Sequence, residues 1–475
     1  MTDNKRFFID GQWVDAKGCS ERVVVDPATE QPVGSVALGD AGHVDLAVAA
    51  ARRAFEAYAS TTREERLALL DRITACYQKR GADLAAALTR EMGAPKWLAE
   101  AMHVPLTPAQ IASTRQALER FDFEVQSGRT RVLREPIGVC AFITPWNWPI
   151  NMIVGKVAPA LAVGCTMVLK PSELAPSCAT IFTEVLEAAG VPNGVFNLVH
   201  GDGPGVGTLL SAHPGVDMVS ITGSTRAGAE VARAAAATVK RVHQELGGKS
   251  PAIALPSADL AVAVAAVMPL ILLNSGQSCA APSRLLVPAE RLDEARAHIL
   301  AVLAAHEAAS AQMPLGPVVS AAQWARIQGL IASARDDGAE FIAGGTGRPE
   351  GVERGFYVRP TVVVCSNRSR IAQEEVFGPV LTVIPFRDVE DAIRIANDTP
   401  YGLAAYVYGD PAEARRVASR IRAGQVTLNG AAPDLDAPFG GYKQSGNGRE
   451  WGAYGFHDLL EIKAVTEAGA ENAAA

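Results

Sequence analysis

The chain has 475 residues, of which 48% are hydrophobic and 20% charged, and its net charge is -7. This length exceeds what one hydrophobic core usually organises, so two or three globular domains are expected. The modest negative charge argues against nucleic acid as a partner, because phosphate binding needs a concentrated basic face.

The N-terminal segment Met1–Trp13 has no apolar stretch of the kind that secretory signals carry. Two later segments, 136–155 and 260–283, contain no charged residue. Both contain proline and several asparagine, threonine, serine or glutamine side chains, which a helix in lipid tolerates poorly. We therefore expect buried strands and helices there, no membrane partner, and a cytoplasmic location.

From residue 44 the chain shows helical and then alternating strand–helix patterns. Apolar side chains three and four positions apart predict helices over residues 44–90, and the alternating segment 130–134 predicts an exposed strand. Further predicted strands are Val139–Ile143, Thr166–Leu169, Val195–Val199, Met218–Ile221 and Val239–Val242, with helices at Ile150–Ala162, Ala175–Ala189, Val206–Ala212 and Arg226–Ala235. This alternation predicts a parallel sheet with helices on both faces, whose ligands bind beyond the carboxyl ends of the strands.

A second α/β series begins at Ala252–Leu255 and continues to about Asn429. It includes helices near Leu260–Leu273 and Arg291–His306 and a strand at Leu285–Val287. The segment Leu459–Thr466 alternates like an edge strand. Two edge strands far apart in the sequence predict pairing across a subunit interface.

Four loops that follow predicted strands carry residues suited to a nucleotide: Thr144–Pro149, Lys170–Glu173, Gly201–Gly207 and Thr222–Thr225. Each has a plainer explanation on its own, since Asn147 and Ser172 could cap helices and the glycine-rich loop is not a complete dinucleotide fingerprint. Together, at successive strand ends, they predict a dinucleotide site. Glu173 would accept hydrogen bonds from the ribose hydroxyls, and its charge would repel a 2′-phosphate. The N-terminus of a helix that begins at Thr225 would bind the pyrophosphate.

Two residues could carry out covalent chemistry. Glu245, next to Gly247 and Gly248, is either a strand-end acid paired with a cation or a general base whose pKa is raised by partial burial. Cys279, between a predicted helix and a predicted strand, is either inert packing or a nucleophile.

The other cysteines are expected to be mostly small buried side chains. Together with Cys279, the chain has seven cysteines, which are Cys19, Cys76, Cys140, Cys165, Cys178, Cys279 and Cys365. Because no CxxC pair or Cys/His cluster occurs in the sequence, we predict free thiols in a reducing compartment and no metal site.

These motifs, in this order and spacing, resemble the aldehyde dehydrogenase superfamily over nearly the whole chain, from Phe8 to Lys463. The motifs that carry the resemblance are Thr144–Pro149, Lys170–Glu173, Thr222–Thr225, Glu245–Gly248, Gln277–Cys279, Glu374–Pro379 and Pro438–Gly446. The resemblance implies NAD-dependent oxidation of an aldehyde to a carboxylic acid. It implies that Cys279 forms a thiohemiacetal and then a thioester, that Glu245 activates the hydrolytic water, and that Asn147 and the Cys279 backbone N–H form the oxyanion hole.

The resemblance also assigns the cofactor contacts. Lys170 and Glu173 would contact the adenosine ribose, Gly223 and Ser224 the pyrophosphate, and Glu375 and Phe377 the nicotinamide ribose. The full predicted NAD site is Ile143, Thr144, Pro145, Trp146, Lys170, Ser172, Glu173, Gly203, Gly207, Thr222, Gly223, Ser224, Leu246, Glu375 and Phe377. Glu450 matches a carboxylate position implicated in proton relay, and we expect a lesser or structural role for it here.

The implied fold is α/β, with a Rossmann-like parallel-sheet cofactor domain, an α/β catalytic domain and a small β oligomerisation flap. The predicted boundaries are 1–120 and 141–246 for the NAD-binding domain, 247–446 for the catalytic domain, and 121–140 with 456–470 for the flap. A flap of this kind implies a homo-oligomer, either a dimer or a homotetramer.

Three segments are similar to a bacterial branch that includes 3-succinoylsemialdehyde-pyridine and 6-oxolauric acid dehydrogenases: Ala281–Arg284, Ala431–Asp434 and Gln444–Trp451. Ala431 and Ala432 are small where many relatives have a bulky aromatic residue. This difference predicts a wider funnel that admits a medium-chain or aromatic semialdehyde.

Three alternatives remain open from the sequence. The enzyme could be an NADP-preferring semialdehyde dehydrogenase, although Glu173 argues against it. A cofactor-independent cysteine hydrolase or esterase that uses Cys279 and Glu245 would leave the four nucleotide loops unexplained. A non-catalytic scaffold would be expected to lack Cys279, Glu245 or Asn147.

Overall fold

The computed structural model describes residues 2–467. The helices are α1 (Ala41–Ala59), α2 (Arg63–Gln78), α3 (Gly81–Ala87), α4 (Lys96–Leu98), α5 (Val104–Arg120), α6 (Pro149–Val163), α7 (Ser177–Ala188), α8 (Thr208–Ala212), α9 (Thr225–Ala235), α10 (Leu260–Leu272), α11 (Leu292–Ala308), α12 (Ala321–Asp336), α13 (Arg370–Gln373), α14 (Val389–Asn397) and α15 (Pro411–Ala418). The strands are β1 (Thr2–Asn4), β2 (Arg6–Ile9), β3 (Gln12–Asp15), β4 (Ser20–Asp26), β5 (Gln31–Leu38), β6 (Glu124–Ser127), β7 (Thr130–Pro136), β8 (Val139–Ile143), β9 (Thr166–Lys170), β10 (Phe196–Leu198), β11 (Met218–Thr222), β12 (Arg241–Glu245), β13 (Pro251–Ala254), β14 (Arg284–Pro288), β15 (Glu340–Ala343), β16 (Thr361–Val364), β17 (Val380–Phe386), β18 (Ala404–Tyr408), β19 (Gln425–Leu428), β20 (Gly446–Asn447) and β21 (Leu460–Thr466).

The first large sheet has the strand order β20-β12-β11-β8-β9-β10-β2-β3. Its five central strands, β12 to β10 in that order, pair in parallel, whereas the edge pairs β20 with β12, β2 with β10 and β3 with β2 are antiparallel. All five residues of β8 are buried because helices cover both faces of the sheet, as parallel strands require. Cys140 and Phe142 point into one core, and Val139, Ala141 and Ile143 point into the other. The prediction of a parallel sheet is therefore confirmed for its central strands, whereas the strands at its edges pair antiparallel.

The second large sheet has the order β15-β16-β17-β14-β13-β18-β19. All of its neighbouring pairs are parallel except β15 with β16. It also has a core on each face. Ser445 links the two large sheets, because its backbone O accepts from Leu246 N at 3.0 Å and its Oγ donates to Gly247 O at 2.6 Å. Its Oγ also accepts from Gly402 N at 2.9 Å.

Two three-stranded sheets complete the fold, with orders β1-β5-β4 and β21-β7-β6. In the second, β21 pairs antiparallel with β7, from Leu460 opposite Pro136 to Thr466 opposite Thr130. The two alternating segments thus pair with each other within one chain, and pairing across a subunit interface stays a prediction. Residues 468–470 of the predicted flap lie outside the described residues, and the proposed domain boundaries stay a prediction.

One predicted strand is misplaced. The run Val239–Val242 was expected to be a strand, but β12 begins only at Arg241. Val239 has a left-handed φ of 55° and is 92% exposed, and Lys240 Nζ donates to the carbonyl oxygens of Ser211 and His213. These bonds hold the segment as the end of a turn, which overrides the β propensity of valine.

Candidate active site

The loops that follow β8, β9, β11 and β12 meet at one edge of the first sheet, because these strands are parallel neighbours. A cleft of about 230 Å³ opens between this edge and the second sheet. The predicted residues that line it are Pro145, Trp146, Asn147, Thr222, Gly223, Ser224, Glu245, Leu246, Cys279, Glu375 and Phe377. Those that do not line it are Ile143, Thr144, Lys170, Ser172, Glu173, Gly203 and Gly207. Gly247, which the sequence places beside Glu245 without a role, also lines the cleft, as do Gln323 and Arg326, which no sequence motif indicated.

Cys279 is half-buried in the turn between α10 and β14. Burial raises the pKa of its thiol well above the usual value, and the charges of Glu245 and Glu375 raise the pKa further. The backbone N–H groups of Ala280 and Cys279 act in the opposite direction and lower this pKa, because they stabilise the thiolate. Gly248 packs so tightly against this turn that a Cβ atom there would lie 2.4 Å from Cys279 O. Glycine at 248 therefore lets the loop after β12 contact the turn that holds the thiol.

Asn147 is buried just before α6, and its side chain does not cap that helix. Its Nδ2 donates to Gln277 O at 3.1 Å, which leaves the second amide hydrogen for the cleft that Asn147 lines. The plainer reading of Asn147 as a helix cap is therefore wrong. Two donors of different origin, this amide and the backbone of the cysteine turn, border the same space.

Glu245 ends β12 and is completely buried, whereas only partial burial was expected. Within residues 2–467, neither of its carboxylate oxygens has a hydrogen-bond partner. Burial raises the pKa of Glu245 well above its usual range, and the charge of Glu450 raises it further, while Lys156 and Arg449 lower it. A carboxylate whose pKa is raised is a stronger base than an exposed one, as a general base requires.

A buried polar chain lies behind Glu245. Lys156 Nζ lies 2.5 Å from Glu450 Oε1 and donates to Ser220 Oγ at 2.9 Å. Ser220 Oγ lies 2.9 Å from His243 Nδ1, and burial lowers the pKa of His243 well below its usual value. Glu450 thus forms a buried ion pair with Lys156, and its structural role stays a prediction.

The opposite wall of the cleft comes from the second sheet. The Phe377 and Trp146 rings meet edge to face with centroids 5.5 Å apart. Gln323 Nε2 donates to Phe377 O at 2.9 Å, and Arg326 Nη1 donates to Glu375 O at 2.9 Å. Glu375 Oε1 accepts from Gly248 N at 2.8 Å, and burial raises the pKa of Glu375 to about 7. Gln323 and Arg326 thus hold the loop that carries Glu375 and Phe377 in place.

Lys170 and Glu173 lie beyond the cleft at the end of β9. Lys170 is buried, and its Nζ is 3.4 Å from Glu173 Oε2, while Arg22 from β4 reaches Glu173 Oε1 at 3.3 Å. Ser172 accepts from Leu174 N at 3.2 Å and does not cap a helix, since α7 begins at Ser177. The carboxylate of Glu173 therefore lies between two cations at a strand end.

Gly203 and Gly207 begin and end one wide helical turn before α8. Asp202 caps this turn by accepting from Gly205 N at 2.7 Å. A Cβ atom on Gly207 would lie 3.9 Å from Ile143 Cδ1, so the turn borders the end of β8. Thr144, one residue further along, is buried, and its backbone N donates to Lys170 O at 3.1 Å.

The residues of this edge fit a dinucleotide. Ser224 caps α9 by accepting from Ala227 N at 3.2 Å, and the free amides of the first helical turn favour an anion beside Gly223. Among the described residues, Thr144 Oγ1 and Thr222 Oγ1 are buried without hydrogen-bond partners, which is unusual unless a ligand or water completes them. The aromatic wall and Glu375 supply apolar contact and a hydroxyl acceptor at the other end of the cleft.

One cluster was not anticipated from the sequence spacing. Cys19, Asp40 and His43 place their ligand atoms within 4.8 Å of one another. His43 Nδ1 is 2.6 Å from Asp40 Oδ1, and the same carboxylate caps α1, so these atoms are already engaged. In the part of the chain that the structure describes, no helix is both long and apolar enough to cross a membrane.

Comparison with known proteins gives consistent matches. The model of the aldehyde dehydrogenase family matches residues 13–465. A 3-succinoylsemialdehyde-pyridine dehydrogenase from a Pseudomonas species is 52% identical over 471 residues, which cover 98% of this chain and 99% of that protein. Aldehyde dehydrogenase C from Pseudomonas syringae, solved as a cysteine-to-alanine mutant with NAD+ and octanal, is 50% identical, with a TM-score of 0.94 and coverage of 98% and 96%. An aldehyde dehydrogenase from Mycobacterium tuberculosis, solved with NAD+, is 37% identical, with a TM-score of 0.93 and coverage of 98% and 99%.

Proposed function

The chain belongs to the aldehyde dehydrogenase family, and from that premise we propose that it oxidises an aldehyde to a carboxylic acid with NAD through a thioester on Cys279. One observation carries the proposal. Cys279, Asn147 and Glu245 line the same cleft as the loop that opens α9, although they come from distant parts of the chain. This combination supplies a nucleophile, an oxyanion donor and a base beside a dinucleotide site.

The first half of the reaction forms the thioester. The Cys279 thiolate attacks the aldehyde carbon, and the developing oxyanion accepts hydrogen bonds from Asn147 Nδ2 and the Cys279 backbone N–H. NAD, when bound, supplies the hydride acceptor. Loss of hydride from the substrate carbon restores the carbonyl and leaves an acyl group on Cys279 Sγ. Removing the Asn147 amide should slow this half roughly 10²–10³-fold.

The second half hydrolyses the thioester. The Glu245 carboxylate takes a proton from water, the resulting hydroxide adds to the thioester carbon, and the C–S bond breaks to release the carboxylic acid and the Cys279 thiolate. The raised pKa of Glu245 makes its carboxylate a stronger base than an exposed glutamate. The absence of a hydrogen-bond partner for this carboxylate among the described residues leaves it free to bind water.

Replacing Arg449 tests this assignment through pH dependence. Arg449 lowers the pKa of Glu245, so Arg449→Gln should raise that pKa. Because hydrolysis needs the deprotonated form, the rising limb of the pH–kcat profile should move to higher pH. Arg449→Lys keeps the charge and serves as the control, whose limb should stay near that of the wild type. An unchanged limb in Arg449→Gln would argue against Glu245 as the base.

We assign the ribose nearer the adenine to Lys170 and Glu173. Glu173 would accept hydrogen bonds from the ribose hydroxyls, and its charge would oppose a 2′-phosphate, which favours NAD over NADP. Ile143, Thr144, Ser172, Gly203 and Gly207 would border the same half of the cofactor. Gly223, Ser224 and Thr222 would meet the pyrophosphate, and Glu375 and Phe377 the second ribose.

For the substrate we propose a medium-chain or aromatic semialdehyde. Ala431 and Ala432 are small and exposed in the loop after β19. Ser113 in α5 anchors the same loop, since its Oγ lies 2.6 Å from Asp436 Oδ1 and 2.9 Å from Leu435 O, and its one hydroxyl hydrogen can be donated to either. The octanal bound to the Pseudomonas syringae enzyme and the substrate named for the Pseudomonas relative support an extended substrate.

The experiment that tests the function measures NADH absorbance with purified protein, an aldehyde panel, and NAD or NADP. We expect turnover with NAD, slower turnover with NADP, and higher kcat/KM for octanal and aromatic semialdehydes than for acetaldehyde. A clear preference for acetaldehyde would rule out the wide funnel. Ester hydrolysis without NAD binding would instead support the hydrolase.

A homo-oligomer in the cytoplasm is part of the same proposal. Ile462 is 74% exposed on the edge strand β21, and β19 leaves the outer edge of the second sheet unpaired within residues 2–467. Exposed apolar residues on open strands favour pairing with another copy. The seven free thiols fit a reducing compartment. Light scattering should give a dimer or tetramer, and a mass of 49.8 kDa would contradict the proposal.

A further inference from the structure

Three carboxamides are tied together beneath the catalytic turn. Asn274 Nδ2 donates to Asn147 O at 2.8 Å and to Gln277 O at 3.3 Å. Asn147 Nδ2 donates to the same Gln277 O at 3.1 Å, and Gln277 Nε2 donates to Asn274 O at 3.0 Å. Because carbonyl oxygens only accept, the amide nitrogen of Asn274 must be the atom that faces both of them. One side chain therefore connects the segment of Asn147 to the turn of Cys279.

The backbone around Asn274 is strained. Asn274 and Ser275 have left-handed φ values of 52° and 55°, and Gly276 follows at 73°. A Cβ atom on Gly276 would lie 2.0 Å from Gly378 O. Non-glycine residues keep this conformation only where their surroundings hold them, at a cost of about 1–3 kcal/mol each. The bonds of Asn274 and the bond from Ser275 Oγ to Gly316 O at 2.6 Å supply that restraint.

An aromatic ring closes the outer side of this cluster. His103 is fully buried and stacks on Trp148 with centroids 4.0 Å apart and planes 21° apart. Burial lowers the pKa of His103 to about 3, so the ring is neutral, and the Asn274 side chain raises this pKa in part. Asn274 is therefore buried, and its amide nitrogen is held by two backbone carbonyl oxygens.

We propose that Asn274 is the positioning residue of the oxyanion site. It acts through Asn147 and Gln277 and does not itself touch substrate. The backbone oxygen of Gln277 accepts hydrogen bonds from the side-chain amides of Asn147 and Asn274. The Asn147 amide therefore points into the cleft only while the turn of Cys279 and the segment before α6 keep their relative position. Catalytic donors need placement within a fraction of an ångström of the developing charge. This inference rests on the proposed function and extends it to a residue outside the cleft.

The test is a double-mutant cycle between Asn274 and Asn147. Asn274→Gly keeps the left-handed backbone at no steric cost and removes only the carboxamide. Asn274→Asp keeps the shape but removes the amide donor, and serves as the second variant if the glycine variant folds poorly. Asp10→Gly is the matched control, because Asp10 is a polar residue with a left-handed φ of 53° that does not line the cleft.

We expect Asn274→Gly to lower kcat about 10–100-fold, with the KM for aldehyde and the Kd for NAD within about threefold of the wild type. Asn147→Ala should lower kcat roughly 10²–10³-fold, and adding Asn274→Gly to it should cost less than about threefold more. Asp10→Gly should leave kcat unchanged. The split between kcat and KM, together with the lack of additivity, separates positioning from a general loss of stability.

Additive losses in the double variant would overturn the inference, as would a normal kcat in both Asn274 variants. Either result leaves the proposed function intact, because Asn147→Ala and the wild type are measured in the same series. A wild-type protein that makes no NADH from any aldehyde would overturn the proposed function and this inference together.

Discussion

Replacing Cys279 by alanine should abolish NADH formation while NAD binding persists. The thiol is the only sulfur nucleophile among the residues that line the described cleft, and the hydroxyls of Thr222 and Ser224 there are much weaker nucleophiles at neutral pH. We expect kcat to fall by about 10⁴-fold or more, as is typical when a covalent nucleophile is removed. NADH absorbance gives the rate, and quenching of tryptophan fluorescence gives the Kd for NAD.

Cys279→Ser provides the graded comparison. A serine hydroxyl is a much weaker nucleophile at neutral pH than a thiolate, so slow activity or none is expected. The backbone near residue 279 should be undisturbed in both variants, since alanine and serine fit the space of cysteine. A kcat of the Cys279→Ala variant within tenfold of the wild type would contradict the thioester route and leave the cleft without its proposed nucleophile.

Replacing Glu245 by glutamine should separate the two halves of the reaction. The Glu245 charge raises the pKa of Cys279, so its removal should ease thiolate formation and leave acylation intact. Hydrolysis loses its base, and we expect steady-state kcat to fall roughly 10²–10⁴-fold. Stopped-flow absorbance should show about one NADH per subunit formed rapidly, followed by a slow phase.

Mass spectrometry of the stalled Glu245→Gln enzyme should find the acyl group on Cys279. Added hydroxylamine, a strong nucleophile toward thioesters, should release it and restore part of the turnover. A variant with neither burst nor acyl adduct would show that Glu245 acts before the thioester forms, and the division of roles proposed above would be wrong.

The sequence predicted the central strands because buried parallel strands are short, apolar and bounded by turns. Val139–Ile143 has the predicted bounds, and the strands beginning at Thr166 and Met218 each extend one residue further. Their loops could be aligned for the same reason, which placed Asn147 and Glu245 at one edge. The regular alternation of strands and helices was therefore enough to place the cofactor-binding loops at one edge of the sheet. The position of Cys279 opposite that edge could be predicted only from the family resemblance.

What could not be predicted depends on contacts between distant segments. Gln323 and Arg326 lie on an ordinary-looking amphipathic helix, and only the packing of α12 on the second sheet brings them to the cleft. The pKa of Glu245 is shifted in part by the charges of Glu450 and Lys156, which lie far away in the sequence. The five short strands within residues 2–38 were not identified either, since their turns interrupt any periodic pattern.

The pairing of β12 with β20 has a consequence for the order in which the molecule can fold. Gln244 and Asn447 are partners 203 residues apart, so the strand that ends at Glu245 keeps an open edge until almost the whole chain has left the ribosome. Every strand of the second sheet is complete by residue 428, and that half can consolidate first. The first large sheet, most of whose strands are synthesised earlier, is therefore completed after the second. Stalled nascent chains should show protease protection of residues 241–245 only after residue 447 has emerged from the exit tunnel.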